Sequence, residues 1–238
     1  MQLMNITLPT CLTPPRQHWP LPDAVPGALL LSSRFASSEL AADDFQRCGI
    51  EPPPSVQRSV AKRQAEYLAG RLCARDALRA LDGLDMVPAI GDDRAPVWPA
   101  HISGSITHSS GWAAAVVAHK RDWRGLGLDV ESVMPRVRAE RLATEILTPA
   151  EIQRMDPAQV ALSVTLTFSL KESLFKALYP LVGQRFYFEH AEVLQWSADG
   201  RARLRLLTSL SPEFGDGYEV AGQFAWVDEH LLSLVAVR

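Results

Sequence analysis

The chain has 238 residues, 47% hydrophobic and 21% charged, with a net charge of −3. That suits one large domain or two small ones with a real core, and it excludes an intrinsically disordered chain. It also excludes a global basic field that holds nucleic acid non-specifically, so any anionic ligand must be met by local basic groups.

Three cysteines, Cys11, Cys48 and Cys73, are odd in number and form no CxxC. This argues against a disulfide framework or a structural zinc site and fits a reducing compartment. The opening MQLMNITLPTCLTPP has neither the basic segment nor the apolar core of a secretory signal. The longest apolar runs, such as WAAAVVA, are far too short for a membrane span. The expectation is a soluble cytoplasmic protein with no membrane or nucleic-acid partner.

Residues 1–27 are proline-rich and predict an irregular arm with one edge strand. GALLLSSRF (27–35) reads as a buried strand, followed by a short polar helix and the turn EPPPS (51–55). VQRSVAKRQAEYLAGRLCARDALRAL predicts a long helix ended by Asp82-Gly83, with Tyr67, Leu68, Leu72, Ala74, Leu78 and Leu81 on its apolar face. GDDRAPVWPAHISG reads as loop, ITHSSGWAAAVVAH as strand, turn, strand, and RGLGLDVESV as a strand with Leu126, Leu128 and Val130 on one face. The basic stretch PRVRAER and a capped start at LTPAEIQ lead to a second helix around TFSLKESLFKALYP (167–180). RFYFEHAEVLQW, RARLRLLTS, YEVAGQFAWV and HLLSLVAV complete a run of strands. Each half thus has a long helix followed by strands and closes on a small-residue strand, which suggests a duplicated α/β unit with a break near residues 121–126.

In GLGLDVES, extended geometry puts Asp129 and Glu131 on the same side as Gly125 and Gly127, and the glycines leave room for something to approach the backbone. Two readings stay open: a hydrated strand edge, or a pair relieved by a cation. All-oxygen ligation would select Mg²⁺, or Mn²⁺ in its place, with a phosphate-bearing substrate completing the shell. On the second helix, Leu170, Leu174, Ala177 and Leu178 form the core stripe. Glu172 and Lys176 lie opposite, spaced for an i,i+4 salt bridge. Yet Phe168, Phe175 and Tyr179 line the side of Glu172, and such desolvation suits a metal ligand or a general base. Arg63 and Arg71, two helical turns apart, read either as a solvated face or as a phosphate clamp. His108, among hydroxyl residues and glycine, reads as a structural hydrogen-bonder or as a ligand.

Taken together, SITHS (105–109), LGLDVE (126–131) and FSLKESLFK (168–176) resemble the 4′-phosphopantetheinyl transferases of the surfactin- and enterobactin-synthetase type. RAPVWP (94–99) and KRQAEYLAGRLCAR are similar to its bacterial, enterobactin-type members, so the likeness runs from about residue 60 to 180. The resemblance implies an α+β, pseudo-twofold duplicated fold: two similar α/β halves, each with a small antiparallel sheet and a packed long helix, with coenzyme A in the cleft between them. It places the halves at 1–124, on the side of the CoA 3′-phosphate, and 125–238, with the metal and the catalytic helix.

It further implies a monomeric holo-[carrier protein] synthase that moves the phosphopantetheine arm of coenzyme A to a serine of an apo acyl or peptidyl carrier protein and releases adenosine 3′,5′-bisphosphate. In this reading Asp129, Glu131 and Glu172 hold Mg²⁺, Glu172 also takes the serine proton, and Lys176 neutralises the pyrophosphate. Arg63, Arg71, Thr107 and His108 bind the nucleotide end, together with Arg94 and Lys176. Arg136, Arg138 and Arg141 are the candidates for docking an acidic carrier. Two rivals remain: another Mg²⁺-dependent enzyme cleaving a pyrophosphate, and a non-catalytic CoA-binding protein. Lys171 belongs to the motif without a role that follows from the sequence.

Overall fold

The computed structural model describes residues 8–238, so the start of the expected N-terminal arm lies outside the described residues. It divides into two compact units. The first comprises the residues up to His18 and Ala28–Ala118, the second Trp19–Gly27 and His119–Arg238.

The first unit begins with β1 (Arg16–Gln17) and β2 (Leu29–Arg34), then the short helices α1 (Asp44–Arg47) and α2 (Pro54–Gln57). The long helix α3 (Ala61–Asp82) follows, rich in alanine, leucine and arginine, which are all strong helix formers. The helix expected from Val56 is interrupted around residues 58–60. It stops at Gly83, whose φ of 68° is the left-handed conformation glycine adopts without strain. The segment read as loop supplies β4 (Pro96–Val97), which pairs with β3 (Ala89–Ile90) just before it in a small hairpin. After it come β5 (Ile102–Ser109) and β6 (Trp112–His119). The four-stranded sheet has the order β1-β2-β6-β5, so β5 is an edge strand. Leu68, Leu72 and Leu78 of α3 are fully buried in the clusters that the unit forms beneath the helix.

The second unit starts with β7 (Gly125–Ser132), α4 (Arg136–Ile146) and α5 (Pro149–Arg154). PRVRAER is therefore helical. The cap predicted at LTPAEIQ is present in full. Thr148 accepts from the Glu151 amide, and Glu151 accepts from the Thr148 amide. The second long helix, α6 (Val160–Val182), ends on Gly183 at φ 65°. Its Leu166, Leu170, Leu174 and Leu178 are completely buried, each worth roughly 1.5–3 kcal/mol of transfer energy.

β8 (Ala191–Trp196), β9 (Arg201–Leu206), β10 (Glu219–Val227) and β11 (His230–Val237) complete an antiparallel sheet of order β7-β11-β10-β9-β8. The strand expected across RFYFEHAEVLQW begins only at Ala191, because residues 188–190 form a 3-10 turn whose Phe188 carbonyl accepts from Lys171 Nζ at 3.0 Å. Each unit thus carries one long helix on an antiparallel sheet, the duplicated α+β organisation expected from the sequence. Among the described residues no helix is long and apolar enough to cross a membrane.

Candidate functional site

In β7 the side chains of Leu126, Leu128 and Val130 are buried on one face, as alternation requires. Gly125, Gly127, Asp129 and Glu131 occupy the other face, and α6 runs directly across it. A Cβ added to Gly127 would sit 1.8 Å from the Ser173 carbonyl oxygen, and one added to Gly125 would sit 2.3 Å from that of Ala177. The glycines therefore do leave room for a close approach to the strand, and what approaches is the backbone of α6. This close approach brings the two carboxylates of β7 to the face of α6 that carries Glu172 and Lys176.

Lys176 donates from Nζ to Asp129 Oδ1 at 2.7 Å and to the Leu128 carbonyl at 3.0 Å. Its partner is Asp129, where i,i+4 spacing had suggested Glu172. The second oxygen of Asp129, Oδ2, is buried and has no hydrogen-bond partner among the described residues. The carboxyl of Glu131 is pushed up to about 7, first by burial and then by the charge of Asp129, while Lys176 and Arg138 oppose the shift. Glu172 is also shifted upward, again chiefly by burial; Lys176 counters this, and Asp129 adds to it.

Three carboxylates thus share a partly desolvated space, one of them with an unsatisfied oxygen, and a cation is the species that relieves such a group. The donors are all hard oxygens, the set that Mg²⁺ or Mn²⁺ takes. The donor chemistry suits a divalent ion of that class, while the three carboxylates do not bring ligand oxygens all within 4.8 Å of one another. A cavity of about 210 Å³ lies beside Glu172, walled by Phe175, Phe186, Tyr187 and Phe188. Of the aromatic flank expected around Glu172, Phe175 lines this cavity and stacks on Tyr179 with ring centres 5.1 Å apart, whereas Phe168 packs on Phe188.

Lys171 makes a separate set of contacts. It is buried, and Nζ donates to Glu151 Oε2 and to the Ile146 carbonyl, both at 2.8 Å. Glu151 also accepts from the Val193 amide at 2.6 Å. One ion pair therefore ties α6 to the end of α4, the cap of α5 and the start of β8. No sequence signal marked Glu151 beyond its place in the capping box.

The basic residues of the first unit form their own group. Gly70 of α3 packs so close to β5 that an added Cβ would lie 2.8 Å from Ile106 Cγ2. His108, two residues further on the same face of β5, thereby meets the helix, and its Nε2 lies 2.9 Å from Arg63 Nη1. Glu66, which the sequence reading did not single out, approaches both residues. Arg71 is buried, with its guanidinium 4.9 Å above the Tyr67 ring. Its Nε has no partner among the described residues, and burial lowers its pKa from the usual arginine value.

Thr107 is buried on the opposite face of the strand from His108, and Arg94 sits at the exposed turn of the β3–β4 hairpin with a φ of 73°. Neither side chain belongs to the Arg63–His108 contact. Arg136, Arg138 and Arg141 are all exposed on α4.

Residues 51–118 match the 4′-phosphopantetheinyl transferase N-terminal domain, and residues 125–226 match the 4′-phosphopantetheinyl transferase superfamily. Enterobactin synthase component D of Escherichia coli K12 is 44% identical over 124 residues, which cover 51% of this chain and 58% of that protein. The 4′-phosphopantetheinyl transferase Svp of Streptomyces mobaraensis is 34% identical over 196 residues, covering 79% of this chain and 77% of the relative. The similarity to Npt of Nocardia iowensis is 34% over 150 residues, or 62% and 66% of the two chains. The chain thus spans less than two thirds of the enterobactin synthase components it matches and more than three quarters of Svp.

Proposed function

The chain belongs to the 4′-phosphopantetheinyl transferase superfamily, and we propose that it transfers the 4′-phosphopantetheine arm of coenzyme A to a serine of an apo acyl or peptidyl carrier protein. The observation that carries this reading is the carboxylate group of Asp129, Glu131 and Glu172 with Lys176 beside it, because a pyrophosphate substrate needs charge neutralised at one point and a proton removed at another.

Asp129, Glu131 and Glu172 would hold Mg²⁺, or Mn²⁺ in its place. When bound, the ion supplies charge stabilisation at the pyrophosphate oxygens. The serine Oγ attacks the phosphorus on the pantetheine side and forms the new P–O bond. The bridging P–O bond breaks, and adenosine 3′,5′-bisphosphate leaves. Glu172, shifted upward by burial, takes the hydroxyl proton directly or through one water. Lys176, fixed on Asp129, offers a positive charge to the departing phosphate.

We assign the nucleotide end to residues 1–124 and the metal and proton chemistry to 125–238. Arg63, Arg71 and His108 would take the 3′-phosphate, with Arg71 offering a buried Nε that lacks a partner among the described residues. Thr107 would contribute through its main chain and Arg94 from the hairpin tip. Exposed Arg136, Arg138 and Arg141 would receive an acidic carrier. In this reading the enzyme works as a monomer in the cytoplasm.

Mass spectrometry of an apo carrier incubated with the protein, coenzyme A and Mg²⁺ tests the assignment. A gain equal to the phosphopantetheine arm is expected, and it is lost with Glu172→Gln. Hydrolysis of coenzyme A without carrier modification, or binding without either reaction, would overturn the proposal.

A further inference from the structure

The basic group on α3 and β5 contains one side chain of the wrong sign. Glu66 lies one turn after Arg63, and its Oε2 stands 3.6 Å from Arg63 Nη1 and 3.7 Å from His108 Nδ1. Its side chain is only 12% exposed, so this is no solvated surface carboxylate. A buried negative charge beside an anion subsite repels the ligand, and it must serve the site in some other way to offset that cost.

The contacts indicate which way. Glu66 approaches the Nδ1 side of the imidazole, and Arg63 lies at Nε2. The ring is thus bonded at Nε2 and approached at Nδ1 by two residues of one helix, although His108 itself sits on a strand. Because Glu66 also reaches Arg63, a single carboxylate oxygen stands beside both the guanidinium and the imidazole. Arg63 alone would be a long, half-exposed side chain with rotamer freedom to lose on binding. Further along the same helix, the buried Nε of Arg71 lacks a partner among the described residues, an independent sign that an anion belongs beside this group.

Resting on the reading of this group as the 3′-phosphate subsite, we propose that Glu66 is a positioning residue. It holds Arg63 and His108 as a preformed cradle and so sets the preference for a 3′-phosphorylated nucleotide. Its negative charge lies beside the Arg63 guanidinium, which screens it from the ligand. The ordering it provides acts at contact distance, and ordering is the larger effect.

Calorimetric titration of the full chain with adenosine 3′,5′-bisphosphate and with adenosine 5′-monophosphate, both with Mg²⁺ present, tests this. The wild type binds the bisphosphate more tightly. Glu66→Gln weakens bisphosphate binding roughly tenfold, the worth of one charge-assisted contact, and leaves the monophosphate unaffected. Glu66→Asp, with the charge kept on a side chain one methylene shorter, shows a smaller loss of the same selective kind, and it decides the matter should Glu66→Gln not fold.

Equal weakening of both nucleotides would mean a merely structural role and would overturn the proposal. Unchanged or tighter bisphosphate binding in Glu66→Gln would overturn it as well. A wild type that binds both nucleotides equally would instead refute the 3′-phosphate reading, and this inference with it.

Discussion

Replacing Gly127 by alanine would put a methyl carbon 1.8 Å from the Ser173 carbonyl oxygen and 2.6 Å from the Ala177 amide nitrogen. Both obstructing atoms belong to the backbone of a helix whose core face is fully buried, so no flexible side chain can swing aside. Normal separation is about 3.5 Å, and α6 must therefore retreat from β7 by more than about 1 Å. Overpacking of this kind costs about 1–3 kcal/mol or more, which lowers Tm by on the order of 5 °C.

The same retreat separates Lys176 from Asp129, now 2.7 Å apart, and lifts Glu172 away from the β7 carboxylates. A misplacement of about 1 Å in a catalytic group costs roughly a hundredfold in rate. Thermal unfolding with and without Mg²⁺, beside the carrier mass assay, reads both effects. Gly125→Ala, whose nearest obstruction is 2.3 Å away, should follow the same course less severely. Gly215→Ala, which meets only Ser209 Oγ at 3.8 Å, serves as a neutral control. If Gly127→Ala melted with the wild type and transferred at full rate, the helix–strand approach would not be what assembles the site.

Lys171→Met strands the buried carboxylate of Glu151 and should cost about 3–5 kcal/mol in denaturant unfolding, whereas replacing both partners by apolar residues recovers most of that; a loss below about 1 kcal/mol would refute the buried pair. The carboxyl of Glu131, at about 7 in the folded state against an ordinary 4.5, makes the folded chain bind more protons between those values. Its contribution to metal-free stability is therefore full below 4.5 and lost as pH rises through about 7. The Tm of the wild type relative to Glu131→Gln should fall across that window without Mg²⁺, and parallel curves would contradict it. Over the same rise Mg²⁺ should bind more tightly, because the carboxyl must lose its proton to ligate. Reversing Arg136, Arg138 and Arg141 to glutamate should raise KM for the carrier severalfold with coenzyme A binding unaltered, and equal losses in both would argue against docking on α4.

Much of the architecture could be read from local pattern. The leucines of α6 recur at helical spacing, β7 alternates as a half-buried strand, and the capping box at Thr148 declares its own helix. The carboxylate set was legible because strand period and helix period each name a face. What stayed hidden depended on partners distant in sequence. Lys171 meets Glu151, Ile146 and Phe188, and no spacing rule connects those positions. Lys176 had a plausible i,i+4 partner in Glu172 but took Asp129, because the strand lies closer than a side-chain reach along the helix surface would suggest. Glu66 was overlooked for a related reason: an acid in a basic helix reads as routine charge alternation until His108 is brought alongside.

The two units share a plan, since in each the strand before the long helix pairs antiparallel with the unit's last strand, β2 with β6 and β7 with β11. They bring helix and strand together by different means. In the first unit the glycine is on the helix, Gly70 against Ile106; in the second it is on the strand, Gly125 and Gly127 against the α6 backbone. The placement matters for what each unit can hold. A glycine on α3 leaves β5 its side chains at Ile106 and His108, so His108 projects toward the helix and joins Arg63 there. Glycines on β7 empty the strand face for two alternate positions, so the helix backbone sinks onto it and the next two side chains, Asp129 and Glu131, are crowded against α6. The raised carboxyls and the unsatisfied Asp129 oxygen follow from that crowding. A duplicated scaffold can thus carry a cationic group in one unit and an anionic one in the other, because the glycine's position decides which element presents side chains at the close approach.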